Sequence, residues 1–260
     1  VNLLGNPNNF DAIKSFIKNK DISLLEDNCE SMGAIFNNKF SGTFGLMGTF
    51  SSFYSHHIAT MEGGCIVTDD EELYHILLCI RAHGWTRNLP KENHVTGIKS
   101  SDLFEESFKF VLPGYNVRPL EMSGAIGQEQ LKKLNSFLTT RRNNAETFCE
   151  LFQNSDTFRI QTEIGNSSWF GFSLILKEGM HLNRSDVITI LSRKKIDCRP
   201  IVTGNFLKNK SVLEHFDYEV NGDLINSEHL DKNGFFVGNH QVCLDEQIKY
   251  LHKTLAQLEF

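Results

Sequence analysis

Short apolar runs that stop at acidic or turn-forming residues alternate with stretches of helical apolar spacing through the first half of the chain. This alternation restricts the fold more than any other feature, because it calls for a layered α/β sheet. Residues 22–25 read as a short buried strand ending at Glu26-Asp27, and 48–54 and 64–68 as two more. Residues 35–41 predict a hairpin turning at Asn37-Asn38. Asn8 or Asn9 caps a helix that places Phe10, Ile13, Phe16 and Ile17 on one face. Thr68-Asp-Asp-Glu71 has the pattern of a capping box. It opens a helix with Leu73, Ile76, Leu77 and Ile80 on one side, closed by Gly84.

A polar stretch over 87–101 reads as a loop, and two helical patterns run from Pro119 to about Phe152, joined near Leu134-Asn135. From Phe158 onward the order is strand (170–176), helix (185–193), strand, loop and final helix (245–258), a smaller α+β unit. The chain has 260 residues, 40% of them hydrophobic, enough for one large or two modest domains. Net charge is -6 without a basic block, which argues against a nucleic-acid partner. No apolar run approaches the roughly 20 residues needed to cross a membrane, and no signal-peptide pattern opens the chain. The six cysteines form no C-x-x-C pair, and the ten histidines show no chelating spacing with carboxylates, so no metal is expected. Reduced thiols in a cytoplasmic protein are the expected state. The 21 phenylalanines fit a bulky core with a large subunit interface.

Candidate chemistry sits where strands end. Asp27 begins Asp27-Asn-Cys-Glu30, and Ser51-Ser-Phe-Tyr-Ser-His-His-Ile-Ala-Thr-Met-Glu-Gly-Gly64 links two strands. Each residue alone has a plain explanation: an aspartate after a strand caps helices, and a serine in a pair is ordinary turn polarity. Adjacent His56 and His57 face different ways on extended chain and lack the one-faced spacing of a helical zinc site. Gly114-Tyr-Asn-Val-Arg118 leads into a helix carrying Gly124 and Gly127.

Together these segments resemble the DegT/DnrJ/EryC1/StrS family of pyridoxal-phosphate (PLP) enzymes, which act on nucleotide-linked sugars. The likeness extends over essentially the whole chain, including Arg81 to Pro90 and Arg199 to Lys208. It implies a PLP-dependent transferase fold of the aspartate-aminotransferase type (fold type I), N-terminally incomplete. Residues 1–117 would be the remainder of the PLP-binding large domain, 118–155 connecting helices and 156–260 a C-terminal small domain. The family's phosphate-binding turn lies before the point where this chain begins, so the isolated chain is expected to be poorly active. By resemblance, Asp27 contacts the pyridine nitrogen, Glu30 lies near the ring, Ser51 reaches the phosphate, and Asn116 crosses a homodimer to the partner's cofactor. His83 and Arg87 would line the substrate pocket.

The departure that matters is His56, which stands where the family has its Schiff-base lysine. A histidine forms no such bond but moves protons. The resemblance therefore points to the family's dehydrating branch, with PLP held noncovalently, L-glutamate as amino donor giving pyridoxamine phosphate, and His56 as general base. The substrate implied is a GDP-linked 4-keto-6-deoxy sugar that loses its C-3 hydroxyl. The alternatives are a nucleotide-sugar aminotransferase using another amine, with Lys39, Lys91 and Lys99 nearby in sequence, or a non-catalytic fragment that dimerises or binds nucleotide sugar.

Overall fold

The computed structural model describes residues 1–258, which fall into two compact units. One comprises residues 1–3 and 7–134, the other 4–6 and 135–258.

The first unit runs α1 (Phe10–Ile17), β1 (Leu25–Asp27), β2 (Ile35–Phe36), β3 (Lys39–Phe40), β4 (Met47–Ser51) and β5 (Gly64–Val67). It continues through α2 (Glu71–Ile80), β6 (Glu92–Asn93), β7 (Gly97–Ile98), α3 (Leu103–Glu106) and α4 (Glu121–Leu131). Its main sheet has the order β1-β4-β5. β1 lies parallel to β4 with Asp27 opposite Thr49, and β4 is antiparallel to β5 with Ser51 opposite Gly64. The β2–β3 hairpin turns at Asn37 and Asn38, both at positive φ, as the sequence predicts for a tight primed turn. Asn9 caps α1 by accepting from the Ala12 amide. Phe10 is buried and stacks on Phe44 at 4.1 Å, whereas Phe16 at the same predicted face is 68% exposed.

The first strand differs from its expected position. Residues 22–24 are not strand; pairing starts at Leu25 and takes in Glu26 and Asp27. The reason is Glu26, which is buried at 4% exposure. Its carboxylate accepts from the backbone N–H of Gly42 at 2.6 Å, Phe44 at 2.5 Å and Gly45 at 2.7 Å. An acid that looks like surface in sequence is thus the anchor of the loop before β4.

The start of α2 also differs. Its N-cap is Asp70, which accepts from the Leu73 amide, while Thr68 donates to the Leu46 carbonyl and accepts from the Asp70 amide. The residues buried deepest on α2 are His75 and Cys79; the predicted apolar stripe is half-buried. Beyond α2, Gly84 stands at φ +83°, and a Cβ there would lie 1.6 Å from the Leu112 carbonyl oxygen. A Cβ on Gly114 would meet the Gly84 nitrogen at 2.3 Å. Two backbones touch here, and bridges pair Ala82 with Asn116 and Trp85 with Phe110. The polar stretch 87–101 holds the small β6–β7 hairpin rather than plain loop.

The second unit contains α5 (Leu134–Phe152), β8 (Phe158–Ile160), β9 (Gly171–Leu176), α6 (Arg184–Arg193), α7 (Lys210–Leu213), α8 (Ile225–Asn233), β10 (Gly234–Gly238) and α9 (Asp245–Ala256). Its antiparallel sheet is ordered β10-β9-β8, with the central β9 buried along its whole length. Phe148, Phe152, Phe172, Leu174, Leu191 and Phe235 centre the core, and Phe148 stacks on Phe172 at 4.5 Å. This is where much of the phenylalanine content goes.

Two substitutions test this description. Glu26→Ala strands three N–H donors, each charge-assisted bond being worth about 1.5–3 kcal/mol net, and is expected to lower the urea midpoint by the equivalent of at least about 3 kcal/mol. Gly84→Ala adds positive-φ strain to a direct backbone clash and is expected to cost at least about 2 kcal/mol in the same measurement.

Candidate active site

The site is built on the C-terminal ends of two parallel strands, the edge at which open α/β sheets bind ligands. Asp27 closes β1 and Ser51 closes its neighbour β4. Asp27 Oδ1 accepts from the Cys29 amide at 3.0 Å. Burial alone would raise the Asp27 carboxyl, but hydrogen bonds from Cys29, the positive charge of the Val1 amino group and a bond from Thr49 together outweigh it and hold the group below its ordinary value. It is therefore ionised at neutral pH. The same neighbourhood pushes the Cys29 thiol up to about 11, first by burial and then by its bond to Asp27, so this cysteine is no nucleophile. Ser51 Oγ accepts from the Phe53 amide, which leaves its own proton to donate. Glu30 is half-buried in the turn after β1.

His56 lies in the loop between β4 and β5, half-buried, its ring edge-on to Phe53 at 5.7 Å. His57 is 1% exposed. Burial thus separates two histidines that sequence chemistry could not rank: His56 faces outward enough to meet a ligand, and His57 belongs to the interior. The loop is closed at its base. The Ser52 amide donates to the Gly63 carbonyl, the Thr60 amide donates to the Ser52 carbonyl, and the Ser52 and Thr60 hydroxyls lie 2.6 Å apart. Gly63 at φ +150° has no room for a side chain, since a Cβ would press on both hydroxyls within 2.9 Å.

α4 packs on this loop. Gln130 accepts from the Ala59 amide, Ser123 donates to the Thr60 carbonyl, and a Cβ on Gly127 would contact the Thr60 methyl at 3.3 Å. Gly124 has nothing within 4 Å, so of the two helix glycines Gly127 alone serves this contact.

The remaining predicted residues cluster beyond α2. Asn116 is exposed, and the Tyr115 carbonyl beside it accepts from the exposed His83. Arg87 stacks 4.8 Å from the Trp85 ring. Both line an open cleft of about 310 Å³ with Lys99, Leu103, Glu106 and Phe108. His83 is not among the cleft's lining residues. The segment 114–131 joins the two clusters, because it pairs with residues 80–83 at one end and packs on the His56 loop at the other.

None of the three lysines weighed as alternative amines stands in the 51–64 loop. Lys99 donates to the Thr86 and Leu89 carbonyls, and Lys39 lies 5.2 Å over the Phe44 ring. Sequence reasoning missed Glu26 and the Ser123–Gln130 contacts. The first carries no motif, and the second pairs residues some 70 positions apart.

A GDP-4-keto-6-deoxy-D-mannose 3-dehydratase from Escherichia coli O55:H7 is 69% identical over 98% of this chain and 66% of its own length. A solved GDP-4-keto-6-deoxymannose-3-dehydratase with a trapped PLP-glutamate geminal diamine is 68% identical, with a TM-score of 0.96 over 98% of this chain and 66% of that one. A ColD structure in which adjacent serine and histidine are replaced by asparagine and lysine matches at 68% identity and a TM-score of 0.96, over 98% of this chain and 67% of that one. The chain thus spans about two thirds of the length of these relatives. The expected fold is the observed one, an α/β architecture of the PLP-dependent aminotransferase type. The family model of the DegT/DnrJ/EryC1/StrS aminotransferases matches residues 1–256, and the chain belongs to that family.

Proposed function

We propose that the chain acts in the PLP- and L-glutamate-dependent 3-dehydration of GDP-4-keto-6-deoxy-D-mannose to GDP-4-keto-3,6-dideoxy-D-mannose, the chemistry of colitose in O-antigen assembly. The observation that carries this reading is His56. It is a partly exposed histidine on the strand-end loop of a family whose fold places a lysine there. The solved relative altered at an adjacent serine and histidine lends support, since Ser55-His56 is the one Ser-His step in this sequence.

The residues present fit the cofactor. An ionised Asp27 suits a protonated ring nitrogen, and Ser51 has a hydroxyl proton for a phosphate oxygen. Bound PLP supplies an electron-accepting ring and, charged with nitrogen from L-glutamate, an amine for the sugar's C-4 ketone. Asp27 would keep the ring nitrogen protonated, and Glu30, by its place in the family frame, would lie near the ring. His56 would take and return the proton whose loss lets the C-3 hydroxyl leave. Histidine cannot displace an amino sugar from the bound group as a lysine amine would, so loss of the C-3 hydroxyl is favoured over amination, and water would release the nitrogen as ammonia. Arg87, stacked on Trp85 in the cleft with Lys99, and the nearby His83 are assigned to the diphosphate of the substrate. Asn116 is assigned to the partner's cofactor phosphate in a cytoplasmic homodimer. Residues 1–117 form the cofactor-binding domain in this reading, 118–155 the connecting helices and 156–260 the small domain.

The test is an absorbance spectrum of the protein with PLP before and after L-glutamate, with and without the part of the relative that this chain does not cover. Loss of the aldehyde band, growth of a pyridoxamine band and no borohydride-trapped lysine are expected. His56→Asn should retain cofactor and lose turnover by roughly 10²–10⁴-fold. His56→Lys should become trappable by borohydride. A lysine adduct in the unaltered protein overturns the reading in favour of an aminotransferase. Absence of any spectral response in every arm favours a non-catalytic binding role.

A further inference from the structure

Glu71 and His75 stand four residues apart on the first turns of α2, so they share one helix face. The β6–β7 hairpin carries His94 onto that face. The three side chains bring a carboxylate oxygen and two imidazole nitrogens within 4.8 Å of one another. His94 Nε2 already lies 3.3 Å from Glu71 Oε2. Ligands bound to one zinc ion at about 2.0–2.1 Å stand roughly 3.4 Å apart, so two of the three are at chelating separation. His75 is 3% exposed, while Glu71 and His94 face solvent and leave an open side for water. The two rings stack at 5.5 Å. His75 Nδ1 accepts from the His94 amide at 3.3 Å, a long contact that a metal can replace, because the exposed His94 segment gives its amide access to water.

The sequence holds the Glu71–His75 spacing, passed over in expecting no metal, but two residues do not make a site and the third, His94, is remote from α2 and approaches only through the hairpin.

We propose that Glu71, His75 and His94 form a zinc-type divalent cation site, with water in the fourth position, outside the cofactor site. Two imidazoles and one carboxylate suit Zn²⁺, and also Co²⁺ or Ni²⁺, better than the oxygen-seeking Mg²⁺ or Ca²⁺. The ion would pin the β6–β7 hairpin to α2. It would thereby steady residues 86–101, which carry Arg87 and Lys99 at the cleft.

The test uses untagged protein stripped with EDTA and titrated with ZnCl₂ by calorimetry, then with CoCl₂ by visible spectroscopy. One equivalent of Zn²⁺ should bind, and His94→Ala and Glu71→Gln, both at exposed positions, should each weaken binding at least about tenfold. Cobalt should give a ligand-field band without the near-ultraviolet charge-transfer band of a thiolate. Bound Zn²⁺ should slow amide exchange across 92–98. Binding unchanged by both substitutions, a thiolate band from one of the six cysteines, or no binding overturns the assignment.

Discussion

The cofactor-side sheet depends on one buried carboxylate. Neighbouring residues of a strand point to opposite faces, so fixing Glu26 inward fixes Leu25 and Asp27 outward. An unpaired carboxylate in that place would cost several kcal/mol. Three backbone N–H donors at 2.5–2.7 Å offset the cost, each contributing about 1.5–3 kcal/mol net. The balance favours burial only while the loop 42–45 keeps its shape. That loop delivers the chain to β4, and β4 delivers Ser51 and the His56 loop. The aim of Asp27 and the start of β4 are consequently one constraint.

The His56 loop is held from two directions. Its own base is stitched by Ser52, Thr60 and Gly63, and its outer side meets α4 through Gln130, Ser123 and Gly127. α4 in turn is positioned by the strip 114–117, which lies against the end of α2 because Gly84 and Gly114 carry no side chain. A loop supported on both sides loses little entropy when a ligand arrives, which suits the role proposed for His56.

Much of this was legible in the sequence, for local reasons. Asn37-Asn38 specifies its own turn, Asn9 its own cap, and the Ser51–Gly64 frame carries the family signal with His56 as the visible exception. The failures are of one kind. Glu26 was read as the polar end of a strand because its partners, Gly42, Phe44 and Gly45, are backbone groups that any sequence supplies. Thr68 was read as a cap because its spacing to Glu71 is correct; the chain instead spends that hydroxyl on the Leu46 carbonyl and caps with Asp70. The stretch 87–101 reads as loop because two-residue strands leave almost no periodicity to detect; His94 itself lies in the turn between them.

The second unit uses the same device with the charge reversed. Arg141 is 2% exposed, and its Nη1 donates to the carbonyls of Trp169, Phe170 and, at 2.8 Å, Asn239. Burial draws the guanidinium down to about 10, still well above neutral, so it remains charged. Asn239 returns the bond to the Arg141 carbonyl, and Asn144 spans Asn239, His240, Val242 and Leu244. In the first unit an acid gathers amides; in the second a base gathers carbonyls. Both spare the interior an unpaired backbone group in an irregular segment, where no ladder can supply partners. A hydrophobic residue of equal volume at either position could fill the space, but it would leave those segments without the bonds that shape them.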